Sequence, residues 1–182
     1  MSRLMIVLSC LLGIGLAANA GPTEPAKSPA LRLMLSEVQP GTMATEQYCT
    51  LVFADRRFHA EKANRKKGKD RERKVYEGQL SEADWNALEE ILDSKQFREL
   101  NVPPTLPPLV LPDLHVFDIS VARENKFQNI EFLNNESRKP YESQLKPLLQ
   151  WWKTQRSAQT SGSNAPPDSR CVLDNTHGLF SY

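Results

Sequence analysis

Two stretches of the chain alternate apolar and polar residues on both sides of a short turn, which is the pattern of an antiparallel β-hairpin. In the first stretch, Asp55 and Arg56 form the predicted two-residue turn. This turn places Phe53 opposite Phe58 on the apolar face of the hairpin. A shift of one residue would move both rings to the polar face, so the alternation favours this register.

The second stretch predicts a hairpin with strands at residues 116–122 and 127–133, joined by a turn at Glu124 and Asn125. Its apolar face pairs Phe117 with Phe132 and Ile119 with Ile130. Shorter strand patterns at residues 31–35 and 75–80 add to the predicted sheet.

Two further stretches carry apolar residues at helical spacing and predict amphipathic helices. The first helix begins after Ser81, because Ser81 and Asp84 have the spacing of a capping box. The second covers residues 141–156, and we expect Pro147 in its first turn because proline has no backbone N–H. The apolar stripes are Trp85, Leu88, Ile91 and Leu92 in the first helix and Leu145, Leu148, Leu149 and Trp152 in the second.

These elements predict a single α+β domain at residues 31–156. Its antiparallel sheet is built from β-hairpins, and the two amphipathic helices pack on one face of the sheet. The order of hairpin, strand, helix, hairpin and helix indicates a ββα-ββα-like arrangement.

The start of the chain predicts the compartment in which the protein works. A basic residue, an apolar run and an A-x-A sequence ending at Ala20 predict a signal peptide at residues 1–20. The apolar run is shorter than the roughly 20 residues of a membrane-spanning helix, so we expect no transmembrane anchor in the mature chain. We predict a periplasmic or secreted protein with a disordered leader at residues 21–30 and a flexible linker and tail at residues 157–182.

Charge argues against a nucleic-acid partner. Loss of the signal would remove one of 23 basic residues and none of the 22 acidic ones, which leaves a neutral mature chain. A neutral chain has no overall field that attracts a polyanion. The local basic run Arg65, Lys66, Lys67 and Lys69 is either a polyanion-binding patch or, as its composition favours, a solvated extension of the first hairpin.

Two cysteines, Cys49 and Cys171, remain in the predicted mature chain. In an oxidising compartment they form either a disulfide or two free thiols, and the sequence leaves both alternatives open. Cys49 is predicted on the same face of its strand as Leu51 and Phe53.

Three packing motifs are Y-E-G-Q-L-S at residues 76–81 leading into Trp85 and Leu88, the hairpin at residues 117–132, and L-K-P-L-L-Q-W-W-K at residues 145–153. With these motifs, residues 48–153 resemble an uncharacterised family of small secreted bacterial proteins. The resemblance implies an α+β protein of the cell envelope, and it implies no catalytic residue and no ligand.

One pair of carboxylates is a candidate catalytic site. The register of the second hairpin places Asp118 directly opposite Glu131 on the outer face of the sheet. Neighbouring carboxylates suit acid/base catalysis or a bound cation. The alternative, which we favour, is a solvated pair that a basic side chain of an adjacent strand neutralises.

Other catalytic and metal-binding signals are missing from the sequence. His59, His115 and His177 have none of the spacings of a local metal site, and no serine or cysteine lies in a nucleophile motif. We therefore predict no metal and no cofactor. The sequence favours an exported, non-enzymatic binding or accessory protein whose partner is an unknown protein or envelope component. The alternatives are a proteinaceous inhibitor and a small hydrolase that uses Asp118 and Glu131.

Overall fold

The computed structural model describes residues 30–40, 44–66, 72–103, 115–159, 163–164 and 171. They form an antiparallel sheet with helices packed against it, which confirms the α+β class. The strands are β1 (Leu31–Pro40), β2 (Ala44–Phe53), β3 (Arg57–Lys66), β4 (Glu72–Gln79), β5 (Val116–Ala122), β6 (Phe127–Phe132) and β7 (Ser163–Asn164). The helices are α1 (Glu82–Asp93), α2 (Lys95–Arg98), α3 (Asn135–Arg138) and α4 (Glu142–Ala158), with a 3₁₀ turn at Lys139–Tyr141 between the last two.

The strand order is β6-β5-β1-β2-β3-β4-β7, and each neighbouring pair is antiparallel. Strands β1 to β4 form a meander, and the second hairpin joins the sheet beside β1. Four strands therefore precede α1, and the ββα-ββα-like detail of the prediction is not confirmed. Burial of apolar faces explains why the second hairpin joins the same sheet as β1 to β4. Strand β5 lies beside β1, and the side chains of both strands form one continuous core.

The core lies between the sheet and the helices. Leu35 of β1 stands beside Ile119 of β5, and both side chains are buried. Helix α4 is fixed to the sheet by a buried hydrogen bond, in which Trp152 Nε1–H donates to Thr50 Oγ1 at 2.8 Å. The helices supply the buried side chains Leu88, Leu92, Phe97, Leu145, Leu148, Trp151 and Trp152.

The predicted register of the first hairpin is wrong by one residue. Phe58 pairs with Val52 and not with Phe53, because the turn contains three residues and not two. Arg56 adopts a left-handed conformation with φ 69°, and its N–H donates to Phe53 O at 2.9 Å. A left-handed residue at the end of a three-residue turn is a common hairpin geometry, but glycine or asparagine normally signals it.

The corrected register exchanges the two faces of β2. Val52 and Thr50 face the helices, whereas Cys49 and Leu51 belong to the opposite face of the sheet. We call this opposite face, against which the described helices do not pack, the open face, although side chains near its centre, such as Met34 and Val75, are buried.

The second hairpin has the predicted register. Phe117 pairs with Phe132, and Asp118 pairs with Glu131. The hydrogen bond from Arg123 N–H to Lys126 O encloses residues 124–125, which identifies a two-residue turn.

The main helices begin close to the predicted residues. Ser81 caps α1 by accepting a hydrogen bond from Asp84 N–H at 3.1 Å. Helix α4 begins at Glu142, so Pro147 lies inside the helix and not in its first turn. The side chain of Pro147 is exposed, which keeps its ring outside the core.

Cys49 and Cys171 form a disulfide, which decides between the two alternatives for these residues. The predicted signal at residues 1–20 and leader at 21–29 lie outside the described residues, as do Lys67, Lys69 and most of the predicted tail. Among the helices that the structure describes, none has the length and apolar character needed to cross a bilayer.

Candidate functional site

A cavity of about 620 Å³ opens between the sheet and the C-terminal half of α4. Its floor comes from β1 to β4, and α4 forms one wall. The lining residues are Glu37, Gln39, Tyr48, Cys49, Thr50, Ala60, Glu61, Lys62, Tyr76, Arg138, Leu149, Trp152, Lys153, Arg156, Ser157 and Gln159. The volume lies within the range that is typical of small-molecule sites.

Arg156 lies within cation–π distance of two aromatic rings in this cavity. Its guanidinium carbon lies 3.5 Å from the centre of the Tyr48 ring and 4.7 Å from that of Trp152. Trp152 is fixed to the sheet by its hydrogen bond to Thr50, and Tyr48 packs against the core, so the two rings hold the long Arg156 side chain in one place. The arrangement gives the cavity a rigid wall that combines aromatic surface with positive charge.

Glu37 of β1 forms an ion pair with the same arginine. Glu37 is only 7 % exposed, and its carboxylate accepts a hydrogen bond from Arg156 Nη1 at 3.0 Å. His115 Nε2 lies 2.9 Å from the other carboxylate oxygen. Burial of Glu37 raises its pKa, but hydrogen bonds with Gln39, His115 and Arg156 outweigh burial, so the pKa is held below its ordinary value.

Three further cations surround the cavity, namely Lys62, Arg138 and Lys153. Within the described part of the chain, no carboxylate lies at ion-pair distance from any of them. Lys62 Nζ lies 5.1 Å from the Tyr48 ring centre, and its pKa is raised mainly by a hydrogen bond with Tyr48. Arg138 also donates from Nη2 to Asn135 Oδ1 at 2.8 Å, but neither this contact nor the Tyr48 contact of Lys62 neutralises a charge, so the three cations can still attract an anionic ligand.

The predicted candidate residues lie elsewhere. Asp118 and Glu131 are neighbours, as predicted, but they lie on the open face and not among the residues that line the cavity. Arg65 and Lys66 fall at the end of β3, and their side chains lie outside the described residues. Their proposed roles remain predictions.

The open face carries a second polar cluster beside the disulfide. His59 Nε2 lies 2.9 Å from Glu61 Oε1, and the N–H of Cys171 donates to the same oxygen at 2.6 Å. One ligand atom each of His59, Glu61 and Cys171 lies within 4.8 Å of the others. Hydrogen bonding to Glu61 is the main cause of a raised pKa of His59, with Glu77 adding to it against the effect of burial.

The sequence did not reveal the cavity, because its residues come from distant parts of the chain. Glu37 and Arg156 are separated by 119 positions. One local pattern in the sequence could have indicated an anion-binding surface. Lys153 and Arg156 are three residues apart, so they share a face of the helix beside Trp152.

No protein-family model matches the chain, and a comparison with curated proteins finds no similar sequence. Function must therefore be inferred from the geometry of the cavity and of the open face.

Proposed function

We propose that the protein is an exported, non-enzymatic binding protein that holds a small organic anion in the cavity beside α4. The observation that supports this most strongly is the group of three cations, Lys62, Arg138 and Lys153, around a cavity of about 620 Å³. A charged ligand group would replace water at these side chains and form charge-assisted hydrogen bonds.

The rest of the lining favours a ligand with an apolar or aromatic part. Leu149, Ala60 and Tyr76 contribute apolar surface near the cations. Arg156 is already engaged by Glu37 and by two rings, so it shapes the cavity and leaves ligand binding to the other three cations. An organic carboxylate or phosphate monoester with one ring fits this chemistry and this volume.

Isothermal titration calorimetry with matched ligand pairs tests the proposal. Phenyl phosphate and benzoate are the anionic probes, and phenol and benzamide are their neutral counterparts. We expect one binding site for an anionic probe and at least tenfold weaker binding of its neutral partner. Raising the salt concentration weakens binding of the anion, because the cations lie near the protein surface.

Substitution of Lys153 by glutamine locates the site. The change removes one charge-assisted hydrogen bond, worth about 1.5–3 kcal/mol, so the affinity falls about tenfold or more. Lys146→Gln is the matched control, because Lys146 is an exposed lysine of the same helix that does not line the cavity. Equal affinities of the two variants, or no binding of either anion, would refute the proposal.

The two alternative functions lack this support. The hydrolase hypothesis requires a pocket at Asp118 and Glu131, and the cavity lies on the other side of the sheet. The inhibitor hypothesis would use the long loop at residues 101–112, which contains five prolines, as the element that inserts into a target, and residues 104–114 lie outside the described part of the chain.

A further inference from the structure

We propose that reduction of the Cys49–Cys171 disulfide turns the open-face cluster into a binding site for a thiophilic divalent metal ion such as Zn²⁺. The ligands are the two thiolates, His59 and Glu61. The inference is independent of the proposed cavity ligand, because the side chains of Cys49 and Glu61 belong to the opposite face of the sheet from the cations, although both residues also contribute to the cavity lining.

The strand register assembles the ligands. Cys49 of β2 lies directly opposite Glu61 of β3, and His59 is two residues before Glu61, so their side chains share one face. The disulfide adds Cys171 to this group. Two sulfurs, one imidazole nitrogen and one carboxylate oxygen form a donor set that suits tetrahedral zinc.

The distances allow coordination with small movements. In a tetrahedral zinc site the ligand atoms lie about 3.3–3.8 Å apart, because the bonds to the metal are roughly 2.0–2.3 Å long. The atoms of His59, Glu61 and Cys171 already lie within 4.8 Å of one another. Once the disulfide is broken, side-chain rotation at the cysteines can bring both sulfurs into this range.

Glu77 supplies an outer-shell contact of the kind found in metal sites. His59 Nδ1 lies 3.0 Å from Glu77 Oε1, which leaves Nε2 directed at the cluster. A carboxylate on the distal nitrogen fixes the orientation of a metal-binding imidazole and increases its basicity. This contact is independent of the disulfide.

Arg73 competes with a metal ion for the Glu61 carboxylate. Its Nε lies 3.3 Å from Glu61 Oε2, so it neutralises the buried Glu61 carboxylate in the oxidised protein. The two thiolates formed on metal binding add two negative charges, which compensate the charge of the metal ion while Arg73 remains nearby.

The reaction balances as two steps. A dithiol reductant is oxidised to its own disulfide and transfers two electrons and two protons to the Cys49–Cys171 bond, which becomes two thiols. The metal ion then binds both sulfurs, and the two thiol protons are released to the solvent.

Titration with Co²⁺ provides the direct test. The full chain is reduced with a phosphine, which contains no thiol that would bind the metal and which becomes a phosphine oxide as water supplies the oxygen and two protons. We expect one equivalent of Co²⁺ to give the absorption of a tetrahedral, thiolate-bound ion, and Zn²⁺ to displace it. The oxidised protein gives no such spectrum.

Variants identify the ligands. His59→Gln lowers the affinity of the reduced protein for Zn²⁺ at least tenfold, and Glu77→Gln lowers it about tenfold. His115→Gln is the matched control for metal binding, because His115 contacts Glu37 of the cavity. We expect this variant to keep the wild-type affinity for Zn²⁺. Zn²⁺ also raises the melting temperature of the reduced protein, and it raises that of reduced His59→Gln by less at the same concentration.

A further variant removes the need for a reductant. Cys49→Ser leaves the thiol of Cys171 beside His59 and Glu61. Without any phosphine, we expect this variant to bind Zn²⁺, but more weakly than the reduced wild-type protein does, because it has one thiolate fewer. Absence of a tetrahedral spectrum from the reduced protein, for any reason including loss of the fold, overturns the proposal. Equal metal affinity of the reduced protein and its His59→Gln variant does so too.

Discussion

At the scale of single residues, Glu37 shows how one buried carboxylate organises the cavity. Arg156 and His115 both contact it, and they come from α4 and from the residue before β5. A buried carboxylate without partners would be costly, so these contacts determine whether the site is stable. The Glu37 carboxylate therefore holds Arg156 against the Tyr48 ring and couples the shape of the cavity to pH.

We expect Glu37→Gln to lower the free energy of unfolding at pH 7 by about 1–3 kcal/mol, because hydrogen bonds to a charged group are lost. Gln39, Tyr48, His115 and Arg156 face this carboxylate. Since the pKa of Glu37 is lowered from 4.5 in the fold, its stabilisation is complete above pH 4.5. It is lost as the pH falls below 4.5 and through the lowered pKa.

Urea unfolding at pH 7, 5 and 3 measures this dependence. The difference between the wild-type protein and Glu37→Gln should be largest at pH 7 and should shrink at pH 3. Glu136→Gln is the control, since Glu136 forms an exposed ion pair with Lys139 that contributes little. A difference that does not change with pH would mean that the charge of Glu37 contributes nothing.

At the scale of elements, the two hairpins separate what the sequence can and cannot predict. The second hairpin has a two-residue turn, and its alternation alone gave the correct pairs. The first has the same alternation, but its turn is one residue longer because Arg56 is left-handed. Apolar alternation determines that a strand has two faces, and the length of the turn determines which face lies inside.

The cavity was beyond prediction for a related reason. The capping residue Ser81 and the stripe that contains Leu88 are encoded by local spacing. Contact between Glu37 and Arg156 depends on how α4 crosses the sheet, and no local pattern encodes that crossing.

We expect Arg56→Gly to stabilise the protein by about 0.5–1 kcal/mol. A left-handed conformation costs an L-residue roughly 1–2 kcal/mol, and glycine adopts it freely but loses about 0.5–1 kcal/mol more entropy on folding. Chemical denaturation measures the change. Arg57→Gly is the control and should destabilise, because Arg57 lies in β3 and pairs with Asp55. A stability loss in Arg56→Gly would show that the arginine side chain makes contacts that outweigh the strain.

At the scale of the whole molecule, both faces of the sheet are used, and for different purposes. The helices cover one face and leave the cavity beside α4. On the open face, the disulfide joins β2 to Cys171, whose N–H is held by Glu61. The bridge connects residues 122 positions apart, so it constrains most of the described chain in the unfolded state.

We expect the double variant Cys49→Ser and Cys171→Ser to lose about 2–5 kcal/mol of unfolding free energy, because a loop of this length is released in the unfolded state. Phenyl phosphate should still bind to the folded variant, since the cations of the cavity lie on the other face. Guanidinium unfolding of the variant, and of the wild-type protein with and without a phosphine in metal-free buffer, makes the comparison. The reduced wild-type protein should match the variant, because both lack the covalent loop. Equal stability of the oxidised protein and the variant would show that the bridge does not restrict the unfolded chain, and its role would then be confined to the local geometry of Glu61 and His59.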